Sequence, residues 1–307
     1  MTRFILDSGN PQEYTQTAKL LKEKGSELWG ATTNPSLIAK QLNGKKLTKE
    51  EAFALQKDII LEIVEIVPGA VSAEVYADHS TTASEMISQG KEIASWHERV
   101  VVKLPTTLEG FTARTELRKN NILVNNTLVF SQEQIFAICL HEQLVQKEFG
   151  LSMKEYPSFI SPFVGRLDDI GIDGIQLVQH GMQIKKQFDS ALTPGTSLLW
   201  MLEASVRSNE HMERGILAGV ELITVPMKAY EAYFALPEEK RTSPDTTEYA
   251  KSLTSFPLWT PSAEQLQIQT IDEFMQAITT EKLPIKHELT DKGITKFIED
   301  WNSILTQ

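Results

Sequence analysis

Eight short runs of apolar and β-branched residues recur along the chain, each set apart from the next by a stretch of helical character. They are Phe4–Leu6, Leu28–Ala31, Val71–Val75, Val100–Lys103, Ile122–Phe130, Ser158–Pro162, a segment near Leu202–Ser205, and Leu222–Pro226. Runs this short and this apolar suit strands covered on both faces, as in a parallel sheet whose crossovers are helices. The intervening segments carry helix signals. Ser8 and Asn10 can cap a helix from about Pro11 to Lys24 that stops at Gly25. Ile59, Ile60, Ile63, Ile66 and Val67 line one face of a long helix ended by Pro68-Gly69, and a further helix spans about Thr82 to Ser95. Others are expected around Cys139, from about Thr196 to Met201, and across Met212–Leu217 with a stop at Gly219. Strands alternating with helices argue for an α/β protein, and eight of them is the number that closes a (β/α)₈ TIM barrel. No Gly-x-Gly-x-x-Gly follows any of the strands, which argues against a dinucleotide-binding, doubly wound sheet.

The chain has 307 residues, more than a barrel needs. The expected division is a barrel over about residues 3–240 and a helical extension over about 241–307, together one domain. Thr242 to Ala263 is rich in Thr, Ser and Pro and reads as a long excursion. Beyond it, Thr290-Asp291 can cap a last helix whose Ile294, Phe297, Ile298, Trp301 and Leu305 make an apolar stripe. That stripe must dock on the barrel rim or on a partner subunit, so a homo-oligomer is compatible with the pattern. A formal charge of -11 argues against a nucleic-acid or membrane surface, and no run is long enough to span a bilayer. The lone Cys139 excludes an intrachain disulfide and sits in an apolar stretch, as a buried thiol would in a cytoplasmic protein. The six histidines show no spacing for a metal site, and His97 and His141 read as surface residues.

The chemistry of such a barrel sits where the C-terminal ends of its strands meet the following loops. In chain order those positions hold Asp7, Asn34, Glu74, Lys103, Asn125 with Thr127, Ser161 with Arg166, and Arg207. Lys103 closes the run Val100-Val101-Val102, just before Leu104-Pro105 turns the backbone away. Burying a cation is costly, and desolvation lowers a lysine's pKa and frees its lone pair, as a carbonyl nucleophile requires. On this stretch alone the alternative is a lysine whose stem lies along the strand while its head reaches water. Glu74 lies within an apolar strand and needs a partner. Singly, Asp7 could be a helix cap, Asn34 a turn former, Asn125 and Thr127 a solvated strand face, and the arginines surface residues. Their convergence on one end of one barrel is what argues for a site.

The blocks Ala31-Thr32-Thr33-Asn34-Pro35-Ser36-Leu37, Val100 through Thr107 with Glu109-Gly110, Asn125 through Ser131, Ser161-Pro162-Phe163-Val164-Gly165-Arg166 and Ala204-Ser205-Val206-Arg207 resemble the transaldolase family. The similarity runs in order from Asp7 to about Pro226 and resumes in a final helix with Phe297 and Trp301. The resemblance implies aldol chemistry through a lysine Schiff base, with neither cofactor nor metal. Lys103 would form the imine, Asp7 would move the proton at bond cleavage, and Glu74 with Thr127 would hold a proton-shuttling water. Asn34, Asn125 and Ser161 would bind the three-carbon unit, and Arg166 and Arg207 would clamp a phosphate.

The implied activity is transfer of dihydroxyacetone from sedoheptulose 7-phosphate or fructose 6-phosphate to glyceraldehyde 3-phosphate or erythrose 4-phosphate, in the pentose phosphate pathway. Related fructose 6-phosphate aldolases tend to carry glutamine in place of Glu74 and tyrosine in place of Phe163, so both residues point to the transferase. A lyase that releases dihydroxyacetone, or a barrel that binds sugar phosphates without turnover, are the alternatives. The loop Leu167–Asp173 is acidic and departs from the family pattern, as does the chain beyond Pro226.

Overall fold

The first strand, β1 (Arg3–Asp7), pairs in parallel with β2 (Leu28–Thr32) on one side and β8 (Leu222–Val225) on the other, which closes the sheet on itself. Between them run β3 (Val71–Glu74), β4 (Val100–Pro105), β5 (Val124–Val129), β6 (Ser158–Pro162) and β7 (Leu199–Glu203), all parallel and in sequence order around a closed barrel. The computed structural model describes residues 2–151, 154–190, 192–242 and 247–306. The expected (β/α)₈ barrel with C-terminal helices is therefore what forms. Every residue of β3, β4, β5 and β6 is buried, because helices cover the outside while side chains fill the inside.

Local chemistry explains most element boundaries. Asn10, Thr48, Thr82, Thr107, Ser131 and Ser208 each accept a backbone N–H with the side chain at the start of the helix that follows. Three of these, Thr48, Thr82 and Ser131, form reciprocal capping boxes with Glu51, Glu85 and Gln134.

Four expectations need correcting. The stretch expected to be helical at Thr196–Met201 leads instead into β7: Leu199–Glu203 is a strand, and the helix that precedes it spans Gly174–Asp189. Leu and Met favour helices in isolation, but a run buried on both faces carries no period to separate helix from strand. Second, β4 extends past Lys103 to Pro105, which lies opposite Thr127 at the strand's last position, where a missing N–H is tolerated.

Third, the last helix spans Glu288–Asn302 and is capped by His287; Thr290 lies inside its first turn and Leu305 beyond its end. Fourth, His141 is completely buried. Its Nδ1 contacts Arg114, whose Nη2 and Nε reach Glu142 at 2.5 Å and Asn126 at 2.9 Å. Cys139 is buried as expected.

The excursion after the eighth unit is expected from residue 242, of which 243–246 lie outside the described residues. Its later part is tied to the barrel. Tyr249 donates to Asp168 and meets His211, Thr254 bonds both Gly171 and Asp173, and the Phe256 N–H reaches Gln176. The final helix crosses the C-terminal face of the barrel. Thr290 on it donates to the Leu128 carbonyl at 2.8 Å, Asp300 accepts from Ser36 at 2.5 Å, and Leu305 pairs with Leu47. The apolar stripe docks on this chain's own rim. Among the described residues no helix is long and apolar enough to cross a membrane.

Candidate active site

Parallel strands in register bring residues of one height together, and the registers Glu74↔Lys103↔Asn125 set three polar side chains side by side. Alternation then decides which side chains share that interior. On β5, Asn126 points outward, where Arg114 Nε donates to its Oδ1, so Asn125 and Thr127 face the barrel axis. Lys103 is 3% exposed. Its Nζ lies 3.1 Å from Glu74 Oε2 and donates to the Thr33 carbonyl at 3.1 Å. The approach to Glu74 is an ion contact between two buried side chains, and among the described residues Oε2 has no other polar partner. Thr127 Oγ1, fully buried on the neighbouring strand, has no hydrogen-bond partner among them.

Each remaining polar group is held by a neighbour. The Asn125 amide donates to Ser72 Oγ at 3.1 Å and its Oδ1 accepts from Ser161 at 2.6 Å, which fixes the orientation of both side chains. Asp7 accepts from Thr32 at 2.7 Å, and Thr32 in turn contacts Thr224 at 2.5 Å. Burial raises the Asp7 carboxyl above the usual carboxylate range, against the opposing pull of Lys103 and the Thr32 hydroxyl. Glu74 is raised for the same reason, with Lys103 and Arg166 working against it. Asn34 caps the helix Pro35–Gln41, where its Oδ1 accepts from the Leu37 N–H at 3.0 Å; its amide N–H groups remain to serve a ligand.

Arg166 sits in a short helix, Val164–Asp168, directly after β6. Its guanidinium carbon is 5.4 Å from the Phe163 ring centroid and 5.3 Å from that of Phe297. Arg207 follows β7 and is exposed on the rim, paired with Asp169. It lies across Gly165: a Cβ there would meet the Ser205 backbone carbonyl at 2.4 Å and Arg207 Nε at 2.7 Å, and because the carbonyl cannot swing aside, glycine is what lets the two loops touch. The two arginines are near enough to repel, and burial together with Arg207 pulls Arg166 down.

The structure thus gathers Asp7, Glu74, Lys103, Asn125, Thr127, Ser161, Phe163 and Arg166 at one end of the barrel. It sets Arg207 at the edge and gives Asn34 a cap's duty as well. The acidic loop of residues 167–173 is also accounted for, since each carboxylate has a partner. Asp168 accepts from His211 at 2.7 Å, Asp169 pairs with Arg207, and Asp173 caps the next helix and takes Arg214 at 2.5 Å.

Sequence reasoning missed Thr32, Ser72 and the Thr33 carbonyl, which orient Asp7, Asn125 and Lys103. Thr32 and Thr33 lay inside a recognised block, but small hydroxyl residues carry no signal of their own. Phe297 stands in the apolar stripe and in the family-like final helix, but its approach to the amine is not legible there, because a ring's distance from a group on another element cannot be read from spacing.

A family model described as "Transaldolase/Fructose-6-phosphate aldolase" matches residues 4–307. A protein named "Probable transaldolase" from Herpetosiphon aurantiacus is 32% identical over 302 residues, 98% of this chain and 96% of that one. Proteins of the same name from Chlorobium chlorochromatii and Chlorobium phaeobacteroides are 35% and 38% identical over 76% and 73% of this chain, and 91% and 86% of their own. With a closed barrel, a buried lysine–glutamate contact and a match that takes in the C-terminal helices, the chain belongs to the transaldolase/fructose 6-phosphate aldolase family of enzymes.

Proposed function

We propose that the chain is a transaldolase that transfers a dihydroxyacetone unit between sugar phosphates through a Schiff base on Lys103. Sedoheptulose 7-phosphate or fructose 6-phosphate is the donor, and glyceraldehyde 3-phosphate or erythrose 4-phosphate the acceptor. The observation that carries the reading is Lys103 itself: an amine 3% exposed, 3.1 Å from a buried carboxylate, on the strand between those of Glu74 and Asn125.

The amine must be neutral to attack, and Glu74 is placed to take its proton. Nitrogen adds to the C2 carbonyl, and loss of water gives an iminium. Glu74 Oε2, and Thr127 Oγ1, a buried hydroxyl without a hydrogen-bond partner, suit a water that carries protons through addition and dehydration. Asp7 then takes the proton from the C4 hydroxyl. The C3–C4 bond breaks, its electron pair passes into the iminium, and the aldehyde leaves with an enamine bound to Lys103. In transfer, enamine carbon attacks the acceptor aldehyde and Asp7 returns the proton to the new alkoxide. Asn125, Ser161 and the Asn34 amide hold the hydroxyls of the three-carbon unit. Arg166 and Arg207 take the phosphate, which would displace Asp169 from Arg207.

Phe163 separates this reading from release of free dihydroxyacetone. It is 6% exposed and its ring lies 5.9 Å from the Lys103 amine, so the side of the intermediate it covers meets carbon rather than hydroxyl. With fructose 6-phosphate and erythrose 4-phosphate together, sedoheptulose 7-phosphate should form. With fructose 6-phosphate alone, dihydroxyacetone should scarcely accumulate, and Phe163→Tyr should raise its release by placing a water-binding hydroxyl beside the enamine. Rapid release by the unaltered enzyme would identify a lyase instead.

A further inference from the structure

Both cations at the mouth lie against the same two aromatic rings. The Arg166 guanidinium is 5.4 Å from Phe163 and 5.3 Å from Phe297, and the Lys103 amine is 5.9 Å and 6.0 Å from the same pair. Phe163 comes from the end of β6, but Phe297 comes from the final helix, Glu288–Asn302, and is 4% exposed. Gly293, one turn earlier on the same face, lies over Arg166: a Cβ at that position would meet Arg166 Nη1 at 2.7 Å and Leu128 Cδ2 at 2.5 Å. Asp300, two turns after Gly293, accepts from Ser36 Oγ at 2.5 Å and so anchors this face to the helix that Asn34 caps. One helix face, read as glycine, ring and carboxylate, is therefore seated on the mouth, and the guanidinium is flanked by one ring of the barrel and one of the helix.

We infer that Phe297, with Gly293 clearing the space above, is a positioning residue that holds Arg166 in place for the substrate phosphate, making the C-terminal helix a wall of the phosphate site. The inference rests on the transaldolase reading and extends it to a segment outside the barrel. A guanidinium that is free to swing loses entropy on binding phosphate; one already held between two rings does not. The helix face supplies that restraint, and its glycine leaves room for the guanidinium beneath.

The test compares KM for fructose 6-phosphate with that for unphosphorylated fructose, alongside borohydride trapping with dihydroxyacetone, which needs the Lys103 amine and no phosphate site. Phe297→Leu should raise KM for fructose 6-phosphate about tenfold. KM for fructose and trapping with dihydroxyacetone report any effect of the ring on the Lys103 amine without the phosphate, and should change by less than about threefold. Phe297→Tyr, which keeps the ring, should keep KM for fructose 6-phosphate near its original value. Gly293→Ala, which keeps the ring but crowds Arg166, should give the same KM-selective defect even if the leucine variant folds poorly.

Equal losses with and without the phosphate, or an unchanged KM in both Phe297→Leu and Gly293→Ala, would overturn the inference. Arg166→Ala separates it from its parent. If that variant raises KM for fructose 6-phosphate while the other two do not, only the positioning role is lost. If Arg166→Ala itself changes nothing, the assigned phosphate role is wrong and the role of Phe297 goes with it.

Discussion

Asp7 and Glu74 are two carboxyls that burial pushes in the same direction, yet they are held by different partners, Thr32 for one and Lys103 for the other. That difference would suit them to the separate duties proposed for them in one cavity. A base must be ionised to act, so as pH falls through the raised pKa of Asp7 the rate of bond cleavage should fall with it. The acid limb of kcat/KM for fructose 6-phosphate should therefore lie above the ordinary carboxylate range, near 4 for an unperturbed Asp. A profile from about pH 3 to 9, which takes in the unperturbed value, reads this directly. Asp7→Asn should still form the imine, measured by trapping, and lose turnover by about a hundredfold or more. A limb at the unperturbed value would mean that Asp7 is solvated in the working enzyme.

Among the elements, β6 and the start of β1 were legible because Ser158–Pro162 and Phe4–Leu6 are short, apolar and bounded by turn or cap residues. The failures also have causes. Leu199–Glu203 reads as helix by propensity and becomes a strand because the barrel needs a seventh strand there and buries it on both faces. The helix Gly174–Asp189 is not among the expected elements although Asp173 caps it, because its cap lies within an acidic loop whose other carboxylates give no helix start. His141 reads as a surface residue because the helix Gln132–Phe149 carries charges; Lys147 and Glu148 are exposed, but Glu142 beside His141 is buried and paired with two arginines.

Arg114 and Arg118, from the helix Leu108–Lys119, both reach Glu142, at 2.5 Å and 2.8 Å, with all three side chains at most 3% exposed. Burial alone would push the Glu142 carboxyl up; the two arginines hold it below its ordinary value. Through Asn126 this cluster also fixes which face of β5 points at the site. Glu142→Ala would leave two buried guanidiniums without a counter-charge, and should cost about 3–5 kcal/mol in denaturant unfolding. A loss under about 1 kcal/mol would show that the arginines find other partners or water.

At the scale of the whole molecule, the barrel end that bears the lysine is closed over by segments from outside the barrel. The final helix brings Phe297 to the amine and Asp300 to Ser36, while the later part of the excursion brings Tyr249 to Asp168 and His211, beside the loop of Arg207. Little of this was visible in the chain, since docking across a barrel's mouth depends on which strand ends lie beneath, not on local pattern. The positions of the ten residues proposed to carry the chemistry follow from strand ends, and eight of them lie in the five blocks that resemble the family; the residues that orient them carry no such signal.

All of these arrangements converge on one claim, that the Lys103 amine is the atom that bonds to substrate. Borohydride reduction in the presence of fructose 6-phosphate, followed by peptide mass spectrometry, tests it most directly. The account predicts a single adduct on the peptide containing Lys103, absent from Lys103→Arg. An adduct on any other lysine, or one that persists in that variant, would contradict it.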